Sequence, residues 1–270
     1  SMAIQLFEVM MMREGAIPDR ITFIHALSGC ISHVNLVTGK KMHVYIIYRN
    51  LDSDIITSTS LISMYDRCGS LTDAREVFHR MPIRNVVTWN ALISGYAQHA
   101  CGEEALECYE KMQVQGICPD SVTFACTLKA CGSIGAKIKG AQIHADVERR
   151  GLFGNTIVGN ALVDMYAKCG SLTKAQDVFD KLWGSGDMIS WNAIMAGYSQ
   201  LGATEIVLDF FHKMVGNDHV KPNSVTFLSV LNACSDGGFV NIAHMLFVSM
   251  RNVFGLIQTL DHFTCMIDLL

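Results

Sequence analysis

Apolar residues recur along this chain at three- and four-residue spacing, in short bursts separated by glycine, proline or polar clusters. Residues 86–120 show the unit most completely. Leu92, Ile93 and Tyr96 form one stripe, and Ala105, Leu106, Tyr109 and Met112 form a second, each with the period of a helix burying one face. Gly102 divides the stripes. Glu103 and Glu104 follow it, where a helix start favours negative charge, and Pro119 closes the unit because it cannot continue a helix. The pattern predicts a helix–turn–helix hairpin. No period-two alternation competes with it.

The chain then repeats itself. Ile21-Thr22-Phe23 returns as Val122-Thr123-Phe124 and Val225-Thr226-Phe227. Cys68-Gly69-Ser70 returns as Cys169-Gly170-Ser171, and Thr88-Trp89-Asn90-Ala91 as Ser190-Trp191-Asn192-Ala193. Within this long period lie three related kinds of hairpin. The boundaries read as 1–19 (a second helix only), 20–54, 55–85, 86–120, 121–155, 156–187, 188–223, 224–259 and 260–270 (a first helix only), about sixteen helices in all. In 55–85, Gly69 is expected to end the first helix and the Ser70 side chain to cap the second. Hairpins in such series bury a continuous core between neighbours, so the expected fold is an all-α superhelical solenoid. Both ends fall inside a unit, and Ser1-Met2 reads as an appended remnant, so the chain is expected to be a piece of a longer array.

Composition narrows the function. Of 270 residues, 50% are hydrophobic and 17% charged, and the net charge is −4. A bulk electrostatic grip on nucleic acid needs clustered Lys and Arg, so nucleic acid would have to be held by placed contacts. No apolar run is long enough to span a bilayer. The ten cysteines form no CxxC pair and no His–Cys cluster at ligand spacing. Cys30, Cys131 and Cys234 each close a similar phrase, and Cys68 and Cys169 both precede Gly-Ser-Leu, so they read as reduced packing thiols in an intracellular or organellar protein. His43 and His144 share a slot four residues after a glycine and read as packing residues. Glu103 and Glu104 are adjacent and point apart. No phosphate loop, nucleophile elbow or zinc helix is present, so no catalytic residue, cofactor or metal is assigned.

Units of about 35, 35 and 31 residues in strict rotation resemble the pentatricopeptide repeat family, specifically its P–L–S subclass from land plants. Residues 86–96 look like the P motif, 160–172 like the S motif and 121–155 like the L motif. The resemblance implies a right-handed α-solenoid that binds single-stranded RNA, one nucleotide per repeat, with its N-terminal repeats toward the RNA 5′ end. Helical repeats of this sort can offer two or three side chains to each unstacked base. In the family, the fifth residue of a motif faces the base edge, the last residue supports it, and the apolar second residue wedges against the base faces.

Carried over, Thr59 with Asn85 resembles an adenine-preferring pair. Asn90 with Asp120, and Asn160 with Asp187, resemble uracil-preferring pairs. Asn192 with Asn223 resembles a pyrimidine pair, cytosine before uracil, and Thr264 implies a purine. Exchanging Asp for Asn at the last position is expected to change which orientation of the Asn amide is stabilised. The L units depart from the pattern, with Ile24, Ala125 and Leu228 at the fifth position and Asp54, Asn155 and Thr259 at the last, so little readout is expected there. The implied register, 5′ to 3′, is any–A–U–any–U–C/U–any–purine. The wedges would be Ile56, Val87, Ile157 and Ile189, with Ile21, Val122 and Val225 in the L units, and Arg67 and Lys168 are candidate phosphate contacts.

Plainer readings stand beside these. Asn90 alone could equally cap a helix, Lys168 could be a solvated charge, and Trp89 and Trp191 read as core. The alternative function is a protein-binding helical scaffold. The family's editing members often carry a zinc deaminase with HxE and CxxC elements, neither of which occurs here. The resemblance therefore implies the recognition part of an organellar (mitochondrial or chloroplast) C-to-U editing factor. The deaminase or editing cofactor proteins would be supplied from elsewhere, no membrane is involved, and the edited cytidine would lie a few nucleotides 3′ of the base facing Thr264.

Overall fold

In the computed structural model, residues 5, 7, 9, 10, 18–182, 188–216 and 220–269 are described. A recurring local device starts the helices. An Asp or Asn stands just before a first helix, and a Thr usually lies three residues on. Asp19 accepts the Thr22 N–H at 2.8 Å, Asp54 accepts that of Thr57 at 2.9 Å, and Asn85 accepts that of Thr88 at 3.0 Å. Asn223 does the same for Thr226 at 3.0 Å. Each satisfies one of the amides that a helix start leaves without an intrahelical partner.

The described residues divide into two compact units, 1–130 and 131–270. In the first lie α1 (Arg20–His33), α2 (Leu36–Tyr48), α3 (Ile55–Arg67), α4 (Leu71–Arg80), α5 (Val86–Gln98) and α6 (Gly102–Val114); α7 (Ser121–Ile134) contains the boundary. The odd-numbered helices α1, α3 and α5 pack on one another, each also packs on its hairpin partner, and α2 and α4 pack on the following first helix. Leu27, Leu61, Ile62 and Ile93 are fully buried between them. Residues 5, 7, 9 and 10 are helical, and Phe7 lies 5.6 Å from Phe23, ring to ring.

The second unit holds α8 (Lys137–Arg149), α9 (Thr156–Lys168), α10 (Leu172–Lys181), α11 (Met188–Gln200), α12 (Thr204–Val215), α13 (Ser224–Gly237), α14 (Val240–Asn252) and α15 (Leu260–Asp268). Its first helices α9, α11, α13 and α15 pack in series, and the second helices α10, α12 and α14 each pack on the first helices that flank them in sequence. The two units repeat each other's core. Trp89 meets Phe78 edge-on at 4.6 Å, and Trp191 meets Phe179 at 4.9 Å. Both indoles are buried, as the core reading of the tryptophans expects. Every regular element among the described residues is a helix, so the fold is all-α and built from repeated hairpins.

Two local expectations are corrected. Gly102 is the first residue of α6 and is buried there rather than separating the helices. Ser70 precedes α4 but its hydroxyl makes no cap; it donates to the Asp73 carboxylate at 2.6 Å, which Lys40 also reaches at 2.8 Å. Gly69 does end α3, at φ 76, in the left-handed region that favours glycine.

Candidate nucleic-acid interface

The second residue of each first helix from α1 to α13 is a β-branched aliphatic left open to solvent, whereas in α15 it is Asp261. In the first unit these are Ile21, Ile56, Val87 and Val122, and in the second Ile157, Ile189 and Val225; all are between 45% and 58% exposed. A scattered exposed aliphatic needs no explanation. Seven in one helical slot, while the other large apolar residues of those first turns are buried or half-buried, mark a recurring exposed position within each unit.

In the same first helices sit the fifth residues. Asn90 is inside α5, not at its start, and is buried; Asn85 is the cap, which removes the capping reading of Asn90. The Asn90 amide is held at both ends. Its Nδ2 donates to Asp120 Oδ1 at 2.9 Å, and its Oδ1 accepts from the Thr123 hydroxyl at 2.6 Å. That hydroxyl in turn accepts the Asp120 N–H at 3.1 Å, while the Thr123 N–H donates back to Asp120 Oδ1 at 2.9 Å. Burial pushes the Asp120 carboxyl up, but the bonds from the Thr123 amide, the Asn90 amide and the Thr123 hydroxyl outweigh it and hold the group below its ordinary value of 3.8. The anion is therefore the form in place at neutral pH.

The second unit contains the same arrangement with one atom type changed. Asn192 Nδ2 donates to Asn223 Oδ1 at 3.3 Å, and Asn192 Oδ1 accepts from the Thr226 hydroxyl at 2.7 Å. The two amides are oriented alike, so the expected change of orientation on replacing Asp by Asn does not occur. What changes is the grip at Nδ2, which passes from a charged acceptor at 2.9 Å to a neutral one at 3.3 Å. In the sequence, the Thr of Val122-Thr123-Phe124 and Val225-Thr226-Phe227 shows only as a repeat marker. Its hydroxyl contact spans more than thirty residues and no local pattern announces it.

The pair Thr59 and Asn85 is less closely knit. Thr59 and Asn85 line one open pocket of about 380 Å³ with Ile56 and Val87, but the Thr59 hydroxyl donates to Ile55 O at 2.6 Å within its own helix. Asn160 is buried in α9, and Asp187 lies outside the described residues. Thr264 is exposed and its hydroxyl donates to Leu260 O at 3.1 Å. In the L units Ile24, Ala125 and Leu228 are half-buried. Asp54 takes a long contact to Arg20 at 3.4 Å besides its cap, Asn155 caps α9 through the Ile157 and Val158 amides, and Thr259 precedes α15 with its hydroxyl 2.7 Å from the His262 ring. Arg67 is exposed at the end of α3, whereas Lys168 is paired with Asp164 at 2.7 Å along its own helix.

The groups left to packing behave as such. His43 Nδ1 lies 2.8 Å from the Tyr65 hydroxyl and His144 Nδ1 lies 3.0 Å from that of Tyr166, and burial pushes both imidazoles below their ordinary range. Burial likewise raises the Cys30 and Cys234 thiols to about 11, far from a reactive thiolate. Among the described residues no cluster of three His, Cys, Asp or Glu side chains could hold a metal ion, and no helix is long and apolar enough to cross a membrane.

Comparison with known proteins follows the same divisions. Residues 84–133 and 186–236 match the PPR repeat family, and 56–86 and 160–187 match the single PPR repeat. A pentatricopeptide repeat-containing protein of Arabidopsis thaliana is 37% identical over 99% of this chain, which spans 43% of that protein. The chloroplastic pentatricopeptide repeat-containing protein CRR2 of the same plant is 38% identical over 96% of the chain, covering 40% of its own length. A mitochondrial relative is 36% identical, with 97% and 40% covered. The chain thus spans less than half the length of these relatives. Among solved structures, maize PPR10 covers 99% of this chain and 44% of its own with a TM-score of 0.58 at 20% identity. PPR10 in complex with an 18-nucleotide psaJ RNA element gives 0.55, with 99% and 45% covered.

Proposed function

Because this chain belongs to the pentatricopeptide repeat family, we propose that it binds single-stranded RNA in a sequence-specific manner, one nucleotide per hairpin. In this reading the first helices face the bases. The observation that carries it is the pairing of a clamped Asn amide with exposed aliphatics on either side: Asn90–Asp120 between Val87 and Val122, and Asn192–Asn223 between Ile189 and Val225. An amide offers both a donor and an acceptor to a pyrimidine edge, and flanking aliphatics bury the base faces. The RNA in the PPR10 complex supports the same ligand class.

The finer assignment follows from the P–L–S rotation. The array is the recognition part of an organellar editing factor, and a deaminase acts from outside this segment. Mitochondrial and chloroplastic relatives are in keeping with that compartment. The L units contribute spacing and stacking, since Ile24, Ala125 and Leu228 bring no hydrogen-bonding group.

Fluorescence anisotropy with an RNA carrying the register any–A–U–any–U–C/U–any–purine, and with the same RNA after its A–U step is exchanged, tests the reading. Binding is expected to weaken by about thirtyfold or more on exchange, because two bases are misread at about 1–3 kcal/mol each. Equal affinity for both would favour the protein-binding scaffold instead. Asn90→Thr with Asp120→Asn is expected to move the preference from U toward A at one position only; uniform loss at all positions would show a folding defect.

A further inference from the structure

We propose that Thr123 and Thr226, the third residues of the units that follow, are positioning residues for base selection that set which end of the neighbouring Asn amide is presented to the base. The inference rests on the RNA reading above and adds a third residue to each pair.

Uracil and cytosine differ on their pairing edges by an exchange of donor for acceptor. An Asn amide turned end for end makes the same exchange. A site that tells the two pyrimidines apart therefore has to hold the amide one way round. In both sites Oδ1 takes the Thr hydroxyl proton, at 2.6 and 2.7 Å. The hydroxyl has one proton, and these are its shortest acceptors. One of its lone pairs takes the backbone N–H of Asp120 or Asn223, both at 3.1 Å, and the competing acceptor, Oδ1 of the same residue, stands farther off at 2.9 and 3.0 Å, so the proton is aimed at the amide. Both Thr residues are buried, which keeps water from substituting.

The same slot behaves differently where no Asn faces it. Thr57 turns its hydroxyl to Asp54 at 2.8 Å, where the preceding unit has Ile24 at its fifth position, and Thr88 donates to Asn85 O at 2.8 Å, where the preceding unit has Thr59. Capping alone thus does not aim the hydroxyl at its neighbour; the Asn does. The two sites also differ in how much depends on Thr. The Asp120 carboxylate only accepts, so it rejects a turned amide unaided. Asn223 is a neutral partner at 3.3 Å, and the orientation of Asn192 falls mainly to Thr226.

The test measures the ratio of affinities for U and C, by anisotropy on the 270-residue chain, with labelled RNAs differing only at the base facing Asn90 or Asn192. Thr226→Val is expected to shrink the ratio at Asn192 by about fivefold, the size of one neutral hydrogen bond, and Thr226→Ser to restore it. Thr123→Val is expected to shrink the ratio at Asn90 by less. Thr88→Val loses an equivalent cap without touching either amide, and both ratios are expected to hold. An unchanged ratio in Thr226→Val, or an equal loss in Thr88→Val, overturns the inference while a base-dependent effect of Asn192→Ala keeps the RNA reading. If Asn192→Ala leaves base preference untouched, the RNA reading fails and this inference with it.

Discussion

Asp66 shows how one residue can depart from its repeat counterpart at a cost. It lies buried at the end of α3, where Ala167 stands in α9. The His99 ring Nε2 lies 2.9 Å from the Asp66 backbone oxygen. Oδ1 stays without a hydrogen bond although the ring is 3.2 Å away, because the ring points to the carbonyl. A Cβ on Gly95 would stand 2.9 Å from that oxygen, so the carboxylate fits only against glycine. Burial raises the Asp66 carboxyl above its ordinary 3.8, and the His99 and Arg67 charges pull it back less. For an acid with a raised folded value, the folded chain binds more protons than the unfolded one. The stabilising contribution is complete below 3.8 and is lost as pH rises through the raised value. Asp66→Ala is therefore expected to stabilise the chain at pH 7 by on the order of 1 kcal/mol, a gain that fades toward pH 3. Urea midpoints at the two pH values check it.

At the scale of the element, the helix ends tell which features a sequence displays. The first-helix starts were legible from the boundaries of the repeats, whereas the Asp or Asn with Thr three residues on is a local signal that the expected caps at Asn90 and Ser70 missed. The glycine ends at Gly69 and Gly170, at φ 76 and 68, were legible as well. The Thr123 and Thr226 hydroxyl contacts were not legible. Thr57, Thr88, Thr123 and Thr226 look alike in their own neighbourhoods, and what separates them is the residue packed opposite from another hairpin. Ser70 misled for a related reason, since Asp73 draws its hydroxyl away. One helix end is plainly under strain. Val34 follows α1 at φ 49, where the equivalent residues are Gly135 at φ 67 and Gly238 at φ 70. A β-branched residue in the left-handed region is costly. Val34→Gly is expected to raise stability by about 1 kcal/mol, shown by a higher thermal midpoint with unchanged RNA affinity.

For the whole molecule, the charge balance bears on the proposed RNA contacts. With a net charge of −4 and Lys168 already paired with Asp164, few phosphates can be neutralised. The slope of log affinity against log salt is expected to be shallow, about −1.4 for two phosphate contacts to a single strand. Arg67→Ala is expected to reduce it by about 0.7 without altering base preference. A slope near that of a basic DNA-binding protein would contradict placed contacts. The alternation of kinds also takes on a clearer meaning across the chain. The residues that end successive units are at the same time the ones that open the next helix: Asp19, Asp54, Asn85, Asp120, Asn155 and Asn223 all lend a side-chain oxygen to a first-turn amide. Only a handful of residue types do this well, and losing the group costs about 1 kcal/mol each time. The vocabulary open to this position is thus set by folding before any ligand is read. Exchanges among Asp, Asn, Ser and Thr are open to selection or to a designer retargeting the array, whereas a residue outside that set would spell a new letter only by unfastening the helix that displays it.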